Sequence, residues 1–222
     1  MCGRISQKND IADYVETLRW NPRTIIDPVG ARYNVPPGTR PLVMHRLGDG
    51  AEQVDRLFWG YKPPWFKKPP VSNARLDTVL KGSSFWRPLL SRRVVVPAEG
   101  WYEWTGEKPN KQPWFIHAAD GEPILMAGIT AWGPGRDVLA ETGFSIITDD
   151  AAGGMVDIHD RRPIALTADN ARTWADPQTP LDDALSLLST ARPESAFLWH
   201  RVTPAMSNSR YQLPDACEPI NL

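Results

Sequence analysis

The chain has 222 residues, 41% of them hydrophobic, enough to bury a core in one domain or two small ones. With 25 Lys and Arg against 26 Asp and Glu, the net charge of −1 excludes a global field that gathers polyanions, so any nucleic-acid site must be a local basic groove. Two cysteines at opposite ends exclude a disulfide scaffold. No apolar run is long enough to cross a bilayer, and the polar stretch 1–14 does not read as a secretory leader, so the expected location is the cytoplasm.

The chain opens Met1-Cys2-Gly3-Arg4. A small side chain at position two permits removal of Met1, which leaves Cys2 with an α-amine and a thiol on adjacent carbons. Such an aminothiol condenses with an aldehyde to an imine, and the thiol then closes on the imine carbon to give a thiazolidine. The same group can instead serve as the nucleophile of an N-terminal-nucleophile hydrolase, the amine acting as base. A chance cysteine at this position is the plain alternative. Asn9 or Asp10 caps a first helix whose Ile11, Tyr14, Val15 and Leu18 share one face, and Asn21-Pro22 ends it. Residues 27–40 read as loop, with Pro36-Pro37-Gly38 as a rigid turn.

Strands are predicted at 41–46 and 54–60, and the proline-rich stretch 62–70 rules out regular structure. Further strands fall at 93–97, 100–104, 113–118, 124–130, 143–148 and 197–202. A helix begins at Thr167 and stops near Asp176-Pro177. Another takes Thr179 as N-cap and Pro180 as first residue, burying Leu181, Leu185 and Leu188. With 22 prolines and no repeat or linker, the pattern predicts one α+β domain over 1–222, with a mainly antiparallel, curled, barrel-like sheet and flanking helices.

Several segments carry chemistry. In a strand at 100–104, Trp101 and Glu103 share one face and Tyr102 and Trp104 the other. A carboxylate among aromatics has its pKa raised, which suits an acid or base, although a strand edge with Glu103 in water fits the same pattern. His159, beside Asp160, Arg161 and Arg162 after Gly153-Gly154, can shuttle protons to a bound anion or sit in a solvated turn. Asn73 offers a donor and an acceptor to a substrate hydroxyl or carbonyl, and Arg75 a fork for a phosphate; a surface turn is the alternative. Trp65-Phe66-Lys67-Lys68 pairs stacking surfaces with cations on a loop, or plugs the core beneath it. Arg4, Lys81, Arg87, Arg92 and Arg93 are further cations for a groove. The four histidines and two cysteines lack paired-ligand spacing, so no metal is expected.

Taken in order, these segments resemble the SOS-response-associated peptidase (SRAP) family, the abasic-site processing proteins. The resemblance rests on Met1-Cys2-Gly3-Arg4, Arg32-Tyr33-Asn34-Val35-Pro36-Pro37, Trp59-Gly60-Tyr61 with Pro64-Trp65, and Asn73-Ala74-Arg75. It continues through the run from Pro97 to Trp104, Ala127-Gly128-Ile129, Thr148 and the run from Ile158 to Pro163. It implies a compact α+β domain, expected to be monomeric, that binds single-stranded DNA and captures abasic sites through Cys2 without cofactor or metal. The family's reactive positions fall on Cys2, Asn73, Glu103 and His159. Its DNA-contacting positions fall on Arg4, Pro37, Trp65, Phe66, Arg75, Trp104, Thr148 and Arg161, to which the neighbouring Arg162 is added. Phe66 stands where some members have a second Trp, and Pro36-Pro37 replaces the common Ala-Pro. Two rival readings stay open: a peptidase with an N-terminal cysteine, and a non-catalytic module that recognises damaged DNA.

Overall fold

Short β-rich runs punctuated by proline and glycine build two layered sheets. The computed structural model describes residues 2–23, 26 and 30–220. One sheet comprises β1 (Ile5–Gln7), β2 (Arg32–Val35), β7 (Gly100–Thr105), β8 (Gln112–Ala118) and β13 (Phe197–Arg201), in the order β13-β8-β7-β1-β2. The other runs β11 (Arg161–Pro163), β10 (Phe144–Asp150), β9 (Ile124–Thr130), β6 (Arg93–Ala98), β3 (Leu42–His45) and β4 (Gln53–Arg56). Within it β12 (Ala165–Leu166) pairs with β9, and β5 (Asn73–Arg75) with β10. Among the described strands only the β5–β10 pair is parallel. The fold is thus α+β and mainly antiparallel as expected, but both sheets are open, so the barrel-like closure does not occur.

A single residue, Glu99, separates β6 from β7, and the chain crosses from one sheet to the other there. Gly100 permits this corner, because a Cβ at that position would lie 2.4 Å from the carbonyl oxygen of Ile116. Between the sheets Ile5, Val35, Trp101 and Ile116 pack with Val94, Val96, Met126, Phe144 and Ile146. The helices α1 (Ile11–Leu18), α3 (Ala168–Ala175) and α4 (Leu181–Leu187) cover the far side of the larger sheet, where Tyr14, Leu18, Trp174 and Ala184 join Met44, Val95 and Ala127. The short α2 (Leu76–Leu80) follows β5 directly. Each such large side chain contributes about 1.5–3 kcal/mol when fully buried.

β1 is held between β7 and β2, and the Gln7 side chain staples it to the other sheet. Its Nε2 donates to the carbonyls of Leu42 (3.0 Å) and Pro97 (2.8 Å), and its Oε1 accepts from Leu42 N–H (2.9 Å). Strand β1 is therefore a fixed part of the core.

Several boundaries differ from the sequence expectations. Asp27, Pro28 and Val29 lie outside the described residues, but Arg32–Val35 is strand because β1 supplies it with a partner. The strand expected over 54–60 ends at Arg56. The first helix stops at Leu18, where Arg19 turns left-handed (φ 52°), ahead of Asn21-Pro22. In α4 Pro180 is the cap rather than the first helical residue. Leu181, at the free first turn, is 41% exposed, and Leu185 is half-buried while Ala184 and Leu188 take the core positions. Arg93 faces inward: its guanidinium donates to the carbonyls of Trp174, Asp176 and Thr179, so it ties α3 to β6 and lines no groove.

Candidate active site

The register of β1 against β7 (Ile5 opposite Trp101, Ser6 opposite Gly100) continues toward the chain start, where Tyr102 N–H donates to the carbonyl of Arg4 (3.0 Å). This pairing carries Cys2 toward Glu103, although 101 positions separate them in sequence. Cys2 is 0% exposed, within the apolar layer between the sheets. Burial pushes its thiol well above the ordinary range, and the charge of Glu103 adds to the shift.

Glu103 is 3% exposed. Burial raises its carboxyl from the ordinary 4.5 to about 7, with the positive amino terminus pulling the other way. His159 Nε2 lies 3.9 Å from Glu103 Oε2. Burial lowers the His159 imidazole, with the amino-terminal charge acting in the same direction. Nδ1 of His159 has two neighbours that want different protonation states. The Arg161 N–H (3.1 Å) donates to it and needs a lone pair, while Asp160 Oδ1 (2.7 Å) favours a proton. With the Arg161 contact made, the neutral ring carries its hydrogen on Nε2, toward Glu103; with Asp160, the hydrogen sits on Nδ1, and Nε2 carries one as well only in the imidazolium. The loop bearing His159 is anchored by Glu194, whose carboxylate accepts the N–H groups of Ala152 (3.2 Å) and Met155 (3.0 Å).

Asn73 opens β5, which lies parallel to β10 with Asn73 opposite Ile146. The approach to it is fixed by Trp59, whose indole donates to the Ser72 carbonyl at 3.0 Å. Asn73 Nδ2 donates to the carbonyl of Cys2 at 2.9 Å. Its Oδ1 is buried and has no hydrogen-bond partner among the described residues. Buried acceptors are nearly always satisfied, and this atom is able to accept from a donor brought to the site. Four groups from distant segments thus converge: a thiol, a carboxyl poised near neutrality, an imidazole and an amide with a spare acceptor. Together they can move protons to and from an electrophile at Cys2.

The candidate DNA contacts separate into groups. Thr148 and Arg161 sit together at the edge of the larger sheet, the Arg161 guanidinium donating to both the carbonyl and the hydroxyl of Thr148. With Arg75 they line a cavity of about 80 Å³ that also includes Asp77, Asp149 and Asp150. Arg4 and Trp104 are neighbours, the guanidinium 5.6 Å from the indole centroid. Trp65 is 62% exposed, while Phe66 is half-buried and packs edge-on against Phe85 at 5.0 Å. Pro37 is half-buried in the turn whose Gly38 N–H donates to Trp59 O. Arg162 is not brought to this region. It alternates with Arg161 along β11, donates to the carbonyl of Arg192 (2.8 Å) and stacks on Phe197. Missing from the sequence reading was Phe85, which supports both Trp65 and Phe66. It has no local pattern that marks it; only tertiary proximity does.

Comparison with known proteins matches this arrangement to one family. The SOS response associated peptidase (SRAP) family matches residues 1–209. The abasic site processing protein YedK of Escherichia coli (strain K12) is 39% identical over 226 aligned positions, covering 99% of this chain and all of that protein. The abasic site processing protein HMCES of Gallus gallus is 32% identical over 84% of this chain and 65% of its own length. A crystal structure of a phage-related protein from Bordetella bronchiseptica superposes with a TM-score of 0.84 at 48% identity, covering 96% of this chain and 100% of that one. The chain, with its thiol, carboxyl, imidazole and amide gathered at the buried N-terminal strand, belongs to the SOS response associated peptidase family of abasic site processing proteins.

Proposed function

We propose that the protein captures abasic sites in single-stranded DNA by covalent attachment to Cys2 once Met1 has been removed. The observation that carries this reading is the convergence of Cys2, Asn73, Glu103 and His159 around one buried point. The freed α-amine adds to the aldehyde of the ring-opened deoxyribose and expels water, giving an imine. The thiol then adds across the C=N bond: sulfur bonds to the carbon, and the thiol proton ends on nitrogen. Protein and DNA are joined with loss of one water.

Each neighbour has a part in this scheme. Glu103, titrating at about 7, takes a proton from the ammonium and returns it as water leaves. The buried thiol resists ionisation, so imine formation precedes sulfur attack. His159, when protonated, donates its Nε2 hydrogen to the ring oxygen while the C1 hydroxyl gives its proton to solvent and the sugar opens to the aldehyde. Asn73 Oδ1 accepts a hydrogen bond from a sugar hydroxyl. The imine alone also supports β-elimination, which gives the site a weak lyase activity, and closure to the thiazolidine suppresses it. Self-cleavage before Cys2 is a further route to the same aminothiol. Arg75, Thr148 and Arg161 hold phosphate without reading sequence, and Trp65 stacks on an unpaired base.

Intact mass measurement tests the scheme. Processed protein incubated with abasic single-stranded DNA gains the mass of the strand less one water, and the joined protein lacks Met1. A stable adduct on a chain that retains Met1 would overturn it.

A further inference from the structure

Asn73 presents its spare acceptor only while its amide is held one way round, and one of the two groups that hold it lies outside the four candidate reactive positions. Asn73 Nδ2 carries two hydrogens. One goes to the carbonyl of Cys2 (2.9 Å) and the other to Ser72 Oγ (3.2 Å). A carbonyl can only accept, so the amide nitrogen must face Cys2. Oδ1, buried and without a hydrogen-bond partner among the described residues, is then the atom left over.

Ser72 is itself pinned through its backbone. Its carbonyl accepts from the Trp59 indole (3.0 Å) and from the Ile146 N–H (3.0 Å). The Val71 carbonyl before it accepts from the Ser145 hydroxyl (2.7 Å), and Val71 exchanges both backbone hydrogen bonds with Tyr61 (2.9 Å each). Trp59 is fully buried and stacks on Phe144. The half-buried Ser72 hydroxyl therefore stands at a fixed position beside Asn73. Asn73 is only 8% exposed, and no other acceptor among the described residues takes its second amide hydrogen.

We infer that Ser72 is a positioning residue for the reaction at Cys2: its hydroxyl oxygen locks the Asn73 amide, keeping Nδ2 on the Cys2 carbonyl and Oδ1 turned to the substrate. Without that oxygen, an amide hydrogen in a buried site loses its acceptor, and the amide is free to turn about its last torsion. A group that is correctly oriented only part of the time slows the chemical step rather than the binding of DNA. The inference rests on the reading of Asn73 as the group that orients the sugar, but the lock itself exists without substrate.

Single-turnover crosslinking of the processed protein to abasic single-stranded DNA, followed across DNA concentration, separates the saturating rate from the concentration at half-saturation. Ser72→Ala is expected to lower the saturating rate about fivefold, the equivalent of one neutral hydrogen bond, and to leave half-saturation within about twofold. In an Asn73→Ala background the same substitution should cost nothing further, because the two side chains act as one unit. An equal loss in both backgrounds, or a loss confined to half-saturation, sinks the inference. The lock is also read in the free protein, with no covalent step. The Asn73 side-chain amide, identified in a heteronuclear NMR spectrum by its loss in Asn73→Ala, should show two slowly exchanging hydrogens in the wild type and one in Ser72→Ala. Two slow hydrogens in both proteins mean that Ser72 does not hold the amide. If the NMR difference is present while the wild type forms no adduct, covalent capture fails and the lock stands.

Discussion

Glu99 and Glu103 lie four residues apart on either side of one sheet corner, both are largely buried, and burial raises both carboxyls. Their surroundings differ in kind. Glu99 is held by fixed donors: the hydroxyl of Tyr14 (2.5 Å), the Lys8 N–H (2.6 Å) and, more distantly, Ser6 Oγ (3.5 Å). Glu103 faces groups that themselves gain and lose protons, the His159 imidazole at 3.9 Å and the Cys2 thiol, whose titration it perturbs. A buried carboxyl bound by static donors is a brace for the β6–β7 corner. One among titrating partners is suited to carry protons, as proposed for Glu103. Burial does not separate the two roles; the nature of the neighbouring groups does.

The hardest test of this contrast removes the proposed nucleophile. Cys2→Ala abolishes the adduct with abasic single-stranded DNA in a denaturing gel, while non-covalent binding stays within about threefold, since a small buried side chain contributes little to contacts with DNA. A persistent adduct would move the chemistry away from Glu103 altogether.

Next in size is the pair Glu103→Gln and Glu99→Gln. The first slows single-turnover crosslinking by about 10²–10⁴, the range for loss of general acid–base catalysis. The wild-type rate rises with pH and levels above about 7, as Glu103 loses its proton, and the variant's profile loses that step. Glu99→Gln leaves the rate within about threefold. Similar rate losses in both variants would erase the distinction.

Stability should divide them in the opposite sense. Glu99→Gln faces two strong donors with an amide that satisfies them poorly, and is expected to cost about 3 kcal/mol in denaturant unfolding. Tyr14→Phe costs less, about 1–2 kcal/mol, since it removes one of those donors.

The last effect depends on pH. The folded-state carboxyl of Glu103 is raised from 4.5 to about 7. Between these values the native protein keeps a proton that the unfolded chain releases, so stability falls as pH rises through that window. Glu103→Gln removes the penalty. It is expected to have little effect at pH 5 and to stabilise by about 3 kcal/mol at pH 8. A stabilisation equal at both pH values would mean that Glu103 is braced like Glu99.

Much of this molecule was legible before folding. The strand 124–130 and the helix beginning after Thr167 emerge where predicted, because each has enough residues to show a period and clear end signals. The aromatic alternation at 100–104 predicted opposite faces, and Trp101 lies between the sheets while Tyr102 packs on the outer side. The short strands β1, β2, β5, β11 and β12 were not read. With two to four residues each, they have no period of their own and exist only because a distant partner completes their hydrogen bonds. The arginines illustrate the same limit. Arg161 and Arg162 are adjacent and chemically alike, yet strand alternation sends one to Thr148 and the other to Arg192. Arg93 looked like a groove cation and is instead a structural tie to helix carbonyls.

The amino-acid sequence by itself determined the inventory of candidate groups: a cysteine one residue from the start, a carboxylate between aromatics, a loop histidine, and an asparagine after a proline-rich loop. These are properties of residue type and near neighbours, and they survive without coordinates. Only the tertiary structure decided that the inventory forms one site. Strand β1 enters between β7 and β2, β5 lines up beside β10, and Glu194 pins the histidine loop. Those placements rest on long-range backbone pairing and on burial between two sheets. The same burial moves Glu103 to near neutrality, a shift that its local sequence motivated and that the packing of both sheets produces.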